Sequence, residues 1–518
     1  MKLRYHLIGG LALACSLGMT ACNDSFLDRN PSDQLSDVSF WQNAEDAEKF
    51  ATSIYLYLIE PENHTIMTDC YTDNALPVHV TAEQGQLSAG TATSSNPHFR
   101  QLWTAVYQTV RRCQVFYAHI GDVPMDETYK ARLTAEVQFL EAFAYHNILK
   151  YMGGASILDH ALDLNETLPA RSTEEETYNY IVGLLDQAAK HLPDIRSAAD
   201  RGKPSAGACY ALKARLAFYA HKYDVAQEAA QKVMDMGCFG LYDNYNDLFQ
   251  IAGESSNEIL FEREYLEYAK NGNEGSWIDQ FFSPLFMGGW EALSPSQDLI
   301  DAYPCTDGKS ISESPLYDPQ HPFENRDPRL GYSVLWNGAE FAGDVFTVTA
   351  LGNGNCTRTG YTMRKYINPD NFGNNEYGWI NFIYLRYAEV LLTYAEARNE
   401  LLSAPDSKVY DAVNQIRQRP SVDLPPLPEG LTKDQMRDAI RLERRLEFAF
   451  EGIHLFDTRS YRTTEKDVTK PVYGMNPKGE KVLIETRKFD PNRDYLWAIP
   501  LTEIDLSQGA LKQNPGWD

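Results

Sequence analysis

The sequence predicts a mostly α-helical fold, assembled from helix hairpins and interrupted by an irregular, loop-rich stretch. Two observations carry this. Apolar residues recur at helical spacing through the first half of the chain and again towards its end. Between them, residues 240–380 are rich in Gly, Pro, Asn, Trp, Tyr and Phe and hold few long periodicities. Loops of that extent inside an ordered domain are functional or disordered, and the aromatic density argues for order.

Ahead of the helices, Lys2 and Arg4 precede an apolar run from Leu7 to Leu17. That run is too short to span a bilayer, which takes about 20 apolar residues. Met19-Thr20-Ala21-Cys22 follows, and it resembles a bacterial lipobox. The expectation is an exported chain that loses residues 1–21 as a signal and carries lipid on Cys22. Residues 22–36 then form an acidic tether, and a single domain runs from 37 to 518.

Within that domain the spacing predicts a first helix over 41–59, with Ala47, Phe50, Ile54 and Leu58 on one face. Residues 60–98 are polar and Ser/Thr/Gly-rich and read as a long structured loop. Helices follow at 99–120 and 126–151, the second stopped by Gly153-Gly154. Ser172-Thr173-Glu174-Glu175-Glu176 is a capping signature that opens a helix over 173–191. Residues 205–236 form a hairpin about His221-Lys222, and 384–419 form a similar one ended by Pro420. In the first, Tyr223 three residues before Ala226 opens the second helix, a pattern that resembles the tetratricopeptide repeat; in the other, Tyr410-Asp411-Ala412-Val413 does so. The helical scaffold thus covers about 37–240 and 380–460, with an insert at about 240–380. Arg441-Leu442-Glu443-Arg444-Arg445-Leu446-Glu447 alternates in sign and suggests ion pairs along one helix face.

Composition narrows the function. The 518 residues carry a net charge of −25, and loss of Lys2 and Arg4 makes it −27. Such an acidic chain is unsuited to nucleic acid or to anionic lipid headgroups. Six cysteines besides Cys15 and Cys22 are scattered without a C-x-x-C pair, which excludes a zinc pattern and a dense disulfide framework; Cys209, on an apolar helical face, is expected as a buried free thiol. There is no H-E-x-x-H and no G-x-S-x-G. Gly308-Lys309-Ser310 lacks the first Gly of a phosphate loop, and Asp490-x-Asn492-x-Asp494 lacks the Gly and Glu of a calcium loop. No cofactor is expected, a structural metal ion aside.

Aromatic residues are abundant: 31 Tyr, 23 Phe and 8 Trp. A sugar ring offers a face of C–H groups that an aromatic ring can cover, while its hydroxyls need fixed polar partners. The candidates for display are Trp277, Trp290, Trp336 and Trp379 in the insert, joined by Tyr71 and Tyr361. Trp290 follows Gly288-Gly289, Trp277 follows Gly275-Ser276, and Trp336 precedes the turn signal Asn337-Gly338. Trp41, Trp103, Trp497 and Trp517 are expected in the core.

The motifs, in order, resemble the SusD/RagB family of outer-membrane nutrient-binding lipoproteins. The resemblance rests on Asn30-Pro31-Ser32, Phe40-Trp41, the block Ala135 to Phe143 leading to Tyr151-Met152-Gly153-Gly154, and Pro295-Ser296-Gln297-Asp298-Leu299. It continues through Arg326-Asp327-Pro328-Arg329-Leu330, Leu385-Arg386-Tyr387-Ala388-Glu389, Glu443 to Phe448, Tyr495 to Pro500 and Asn514-Pro515-Gly516-Trp517. It implies four tetratricopeptide-like helix pairs in a right-handed superhelical scaffold under a loop region with short β-hairpins. It also implies oligosaccharide binding without catalysis, in partnership with a SusC-like TonB-dependent transporter, on the outer face of the outer membrane. A peptide-binding protein of the same fold is the alternative, and a glycoside hydrolase the more distant one.

Overall fold

The computed structural model describes residues 40–517, apart from 81, 164, 268, 271–273 and 353–355. The signal and tether, Cys22 included, lie outside the described residues. The scaffold helices are α1 (Ala44–Ile54), α2 (Pro97–Ile120), α3 (Glu127–Met152), α4 (Glu174–Ala188), α5 (Ala206–Tyr219), α6 (Tyr223–Asp235), α7 (Tyr387–Leu401), α8 (Ser407–Arg417), α9 (Lys433–Glu447) and α10 (His454–Ser460). They pair as α1/α2, α3/α4, α5/α6 and α7/α8, and each pair packs on the next.

Local chemistry accounts for these elements. The hydroxyl of Thr173 accepts from Glu176 N while Glu176 accepts from Thr173 N, so a full capping box starts α4. Gly153, at φ +82°, ends α3 as its glycine predicts. In the α5/α6 hairpin His221 takes φ +55° and Lys222 N donates to Ala217 O at 2.9 Å, closing a tight turn. Small residues then let the two helices approach: Ala208, Ala217, Ala226 and Ala230 are all buried. Cys209 is a buried free thiol, and the other described cysteines are free as well.

The insert leaves the scaffold after α6 and returns before α7, which packs directly on α6. Its base is sealed where Ile259–Arg263 pairs antiparallel with Phe382–Arg386. Inside it, Val334–Trp336 pairs with Tyr361–Met363, and Glu340–Phe341 forms a hairpin with Asp344–Val345 across Ala342 and Gly343, both at positive φ.

Two expectations need correction. Residues 60–98, expected as a long structured loop, are more regular and more buried than that. They fold into short helical turns and a strand, Ala75–Pro77, that pairs with Leu293–Pro295 of the insert; from Pro61 to Val78 every residue except Asn63 is buried. Several of their polar groups are satisfied internally or by distant residues: Asn74 Nδ2 donates to Asp69 Oδ1 at 2.6 Å, and Asp73 faces Arg445 and His454.

Within α9, Arg437 pairs with Asp434 along the helix, but the charges of the 441–447 run do not. They reach other elements: Arg444 to Asp457, Arg445 to Asp73 and Asp298, Arg441 to Glu396, and Glu443 to Arg329 and Arg417. Glu447 accepts from Arg329, Arg386 and Arg419, and Glu258 and Glu451 complete a buried charge network.

Candidate functional site

The seam between insert and scaffold opens into a cleft of about 850 Å³, in the range of small-ligand sites. One wall is the face of α2 that carries Arg100, Gln101, Thr104 and Gln108. Helical spacing puts these polar residues opposite Phe99, Leu102, Trp103 and Val106, which face the core. The turn after α1 forms the second wall, with Tyr57, Glu62 and His64. The insert supplies the third, with Arg263, Tyr265 and Trp277.

Each wall is fixed from behind. Arg112 donates to Tyr57 Oη at 2.8 Å and lies 4.2 Å over its ring. Arg263 Nη1 donates to Leu58 O at 3.2 Å, and Tyr384 Oη to Ile59 O at 2.6 Å, so the base of the insert holds the turn. Ser276 N donates to Gly378 O at 2.7 Å, which ties the Trp277 segment to the Trp379 segment.

The floor is polar, with a neutral imidazole and a carboxyl that is only partly ionised at neutral pH. Burial, with Glu60 adding, pushes the Glu62 carboxyl up to about 7, and burial pushes His64 down to about 4. The His64 ring stacks on His98 at 4.5 Å, and neither its nitrogens nor Glu62 Oε2 has a hydrogen-bond partner among the described residues. These are buried groups able to bond a hydroxyl.

The proposed aromatic residues divide into three sets. Trp277 lines the cleft. Trp290 stands one ring away: their centroids are 6.4 Å apart, with Phe281 5.1 Å from Trp290 and 6.1 Å from Trp277. Trp290 is 37% exposed. Trp379 is half-buried beside the Ser276–Gly378 bridge. Trp336 sits elsewhere in the insert, half-buried, with one face covered by Phe323 at 4.3 Å and an interplanar angle of 10°.

Tyr361 and Tyr71 are corrections. Tyr361 is 1% exposed, and its hydroxyl donates to Gln297 Oε1 at 2.7 Å inside the core. Tyr71 is buried against His98 and Trp497. Both belong to segments that the strand pairings carry inward, so neither ring faces a ligand.

Tyr57, Phe281, Glu62, His64, Arg263 and Tyr265 were not singled out by sequence reasoning. Only the aromatic residues in Tyr55-Leu56-Tyr57 and Arg263-Glu264-Tyr265 hinted at them, and long-range closure of the cleft was needed to make them neighbours.

A family model described as "SusD family" matches residues 257–517, and a second, described as "Starch-binding associating with outer membrane", matches residues 25–218. The first alone spans half of the chain. The chain belongs to the SusD family. A SusD-like protein P2 of Formosa agariphila is 24% identical over 97% of this chain and 98% of its own length. A crystal structure of a SusD-like carbohydrate binding protein from Bacteroides fragilis superposes with a TM-score of 0.84 at 25% identity, over 91% of this chain and 99% of that one. A second SusD-like protein of Bacteroides fragilis gives 0.82 at 28% identity, covering 94% and 100%. A laminarin binding SusD-like protein shares the fold at a TM-score of 0.73 and 22% identity, covering 92% and 100%. These SusD-family relatives are named as SusD-like or binding proteins, and none of these names is that of an enzyme.

Proposed function

We propose that this SusD-family chain binds an oligosaccharide in the cleft between α2, the turn after α1 and the insert, without catalysing its breakdown. The observation that carries this is the pairing, in one cleft, of aromatic faces with polar hydrogen-bonding groups. Trp277, Tyr265 and Tyr57 supply surfaces for sugar rings. Gln101, Thr104, Gln108, Glu62 and His64 supply hydrogen bonds for hydroxyls. Trp290 extends the aromatic surface beyond the mouth, suiting a chain longer than the cleft. The carbohydrate-binding name of the Bacteroides fragilis relative supports the reading.

The same reading places the protein at the cell surface. Lipid on Cys22 anchors it to the outer membrane, facing outward, and a SusC-like TonB-dependent transporter receives the captured oligosaccharide. The lipobox-like residues and the outer-membrane description of the matched family model support this part. Mass spectrometry of the protein extracted from membranes is expected to find a lipidated Cys22.

Calorimetry against a panel of neutral oligosaccharides tests the binding role. Binding is expected, and Trp277→Ala with Trp290→Ala should remove most of it. Undiminished affinity in the double variant would refute the site. New reducing ends after incubation would refute the non-catalytic role.

A further inference from the structure

A second cleft, of about 400 Å³, lies among the scaffold helices, where the end of α3 meets α4, α5 and α10. Its charge is unusual for so acidic a chain. Lys150 of α3 lines it and is half-buried, its ammonium 4.6 Å over the Phe456 ring and 5.1 Å over the Tyr151 ring. Among the described residues it forms no ion pair and no hydrogen bond. Arg459 of α10 lines the same cleft. It donates only to a backbone carbonyl, Asp494 O at 3.2 Å, and its Nε and Nη1 are buried without partners. One turn before Lys150, His146 also lines the cleft; it is 1% exposed, and both ring nitrogens lack partners.

The carboxylates nearby do not neutralise these cations. Glu175 pairs outward with Lys222 at 3.1 Å, and both Glu174 and Glu175 are exposed on the rim. Glu389 is engaged by Arg215. Burial accordingly holds Lys150 well below its ordinary range and takes Arg459 down to about 10. Other buried cations are either paired with carboxylates, as Arg329, Arg386 and Arg444 are, or held by several hydrogen bonds, as Arg326 and Arg487 are by backbone carbonyls. A half-buried ammonium and a guanidinium with two buried, unpartnered nitrogens, set over a buried, unpartnered imidazole, favour the arrival of a counter-charge. The remaining walls are aromatic, with Tyr178, Tyr219 and Phe456.

We propose that this cleft is an anion site for a sugar acid, its carboxylate drawn to Lys150 and Arg459 and its ring lying against the half-buried Tyr219. The site is separate from the cleft at Trp277 and does not depend on the reading given to that cleft.

The test is calorimetric titration of the purified full-length protein with galacturonate, with galactose, and with sodium sulfate at matched ionic strength. Galacturonate is expected to bind saturably, with galactose and sulfate each at least about tenfold weaker. Lys150→Met should weaken galacturonate by about tenfold or more, because a charge-assisted contact is lost. That variant should also unfold at higher denaturant than the wild type without ligand, since Met replaces an unpaired ammonium with an apolar stem of similar length. Trp277→Ala should leave galacturonate binding unchanged. Equal binding of galactose would overturn the anion requirement, and equal binding of sulfate would overturn the sugar ring. Galacturonate affinity in Lys150→Met within twofold of wild type would overturn the site itself.

Discussion

Arg386, the last residue of the strand that closes the insert, donates from Nη1 to Glu447 Oε1 at the end of α9 at 2.7 Å. The two residues are 2% and 0% exposed. Glu447 also accepts from Arg419 Nη2 at 2.9 Å and from Arg329 Nη1 at 2.9 Å. Arg329 stands in the insert, Arg419 follows α8, and Glu447 ends α9. One carboxylate therefore joins the loop region to two parts of the scaffold, and through the insert it helps set the third wall of the binding cleft. Burial alone would raise the Glu447 pKa, but Arg419, Arg386 and Arg329 outweigh it and hold the carboxyl well below its usual range.

Glu447→Gln should therefore be among the most destabilising single substitutions in the chain. It leaves three guanidinium groups short of a counter-charge in the interior, at a cost of about 3–5 kcal/mol. Urea unfolding monitored by circular dichroism is the measurement. The exposed Glu429→Gln serves as the comparison and should stay within about 0.5 kcal/mol of wild type. Similar midpoints for the two variants would show that the network contributes no net stability.

The same network marks the limit of what the sequence discloses. The periodicity of α3, the Thr173 capping box and the α5/α6 hairpin were all legible, because each is set by residues within a few positions of one another. The partners of α9 were not. Arg329 and Arg386 are distant in sequence, so an alternating charge run resembled a solvated helix face. Residues 60–78 misled for the same reason: their polarity suggests a surface loop, but strand pairing with Leu293–Pro295 takes them inside. The aromatic candidates were half legible. The Gly-flanked Trp277 and Trp290 lie together at the cleft, whereas Tyr71 and Tyr361 are drawn into the core by pairings that no local pattern announces.

The approach of Trp290 to Trp277 depends on Gly289. A Cβ there would lie 2.2 Å from Ser283 O, a backbone atom that cannot swing away. Ladder-like bonds hold the segment in that position: Trp290 N to Gln280 O at 2.9 Å and Ala292 N to Phe281 O at 2.8 Å. Glu291 clamps it further, accepting from Leu285 N and Thr357 N. Gly289→Ala should cost about 1–3 kcal/mol through forced backbone displacement. It should also weaken oligosaccharide binding, as the Trp290 ring leaves its neighbours. A variant with unchanged Trp fluorescence and affinity would count against this account of how the ring is placed.

Glu62 gives the cleft a distinct pH signature. Its carboxyl is 2% exposed, and burial beside Glu60 raises the pKa from 4.5 to about 7. The folded protein thus holds a proton that the unfolded chain releases between those values. The contribution of this group to stability is fully present below 4.5 and is lost as pH rises through about 7. Glu62→Gln keeps the shape of the protonated acid and cannot ionise. Relative to wild type it should be near neutral at about pH 4.5 and become more stable by up to about 3 kcal/mol at about pH 8. Paired urea titrations across that range read the difference. His64 works in the opposite direction, losing stability as pH falls from 6.5 towards about 4, but it is common to both proteins and drops out of the comparison. A difference that stays constant with pH would mean that Glu62 ionises as freely in the fold as in the unfolded chain. The cleft floor would then carry a full negative charge at neutral pH, instead of the partial one that a pKa of about 7 gives.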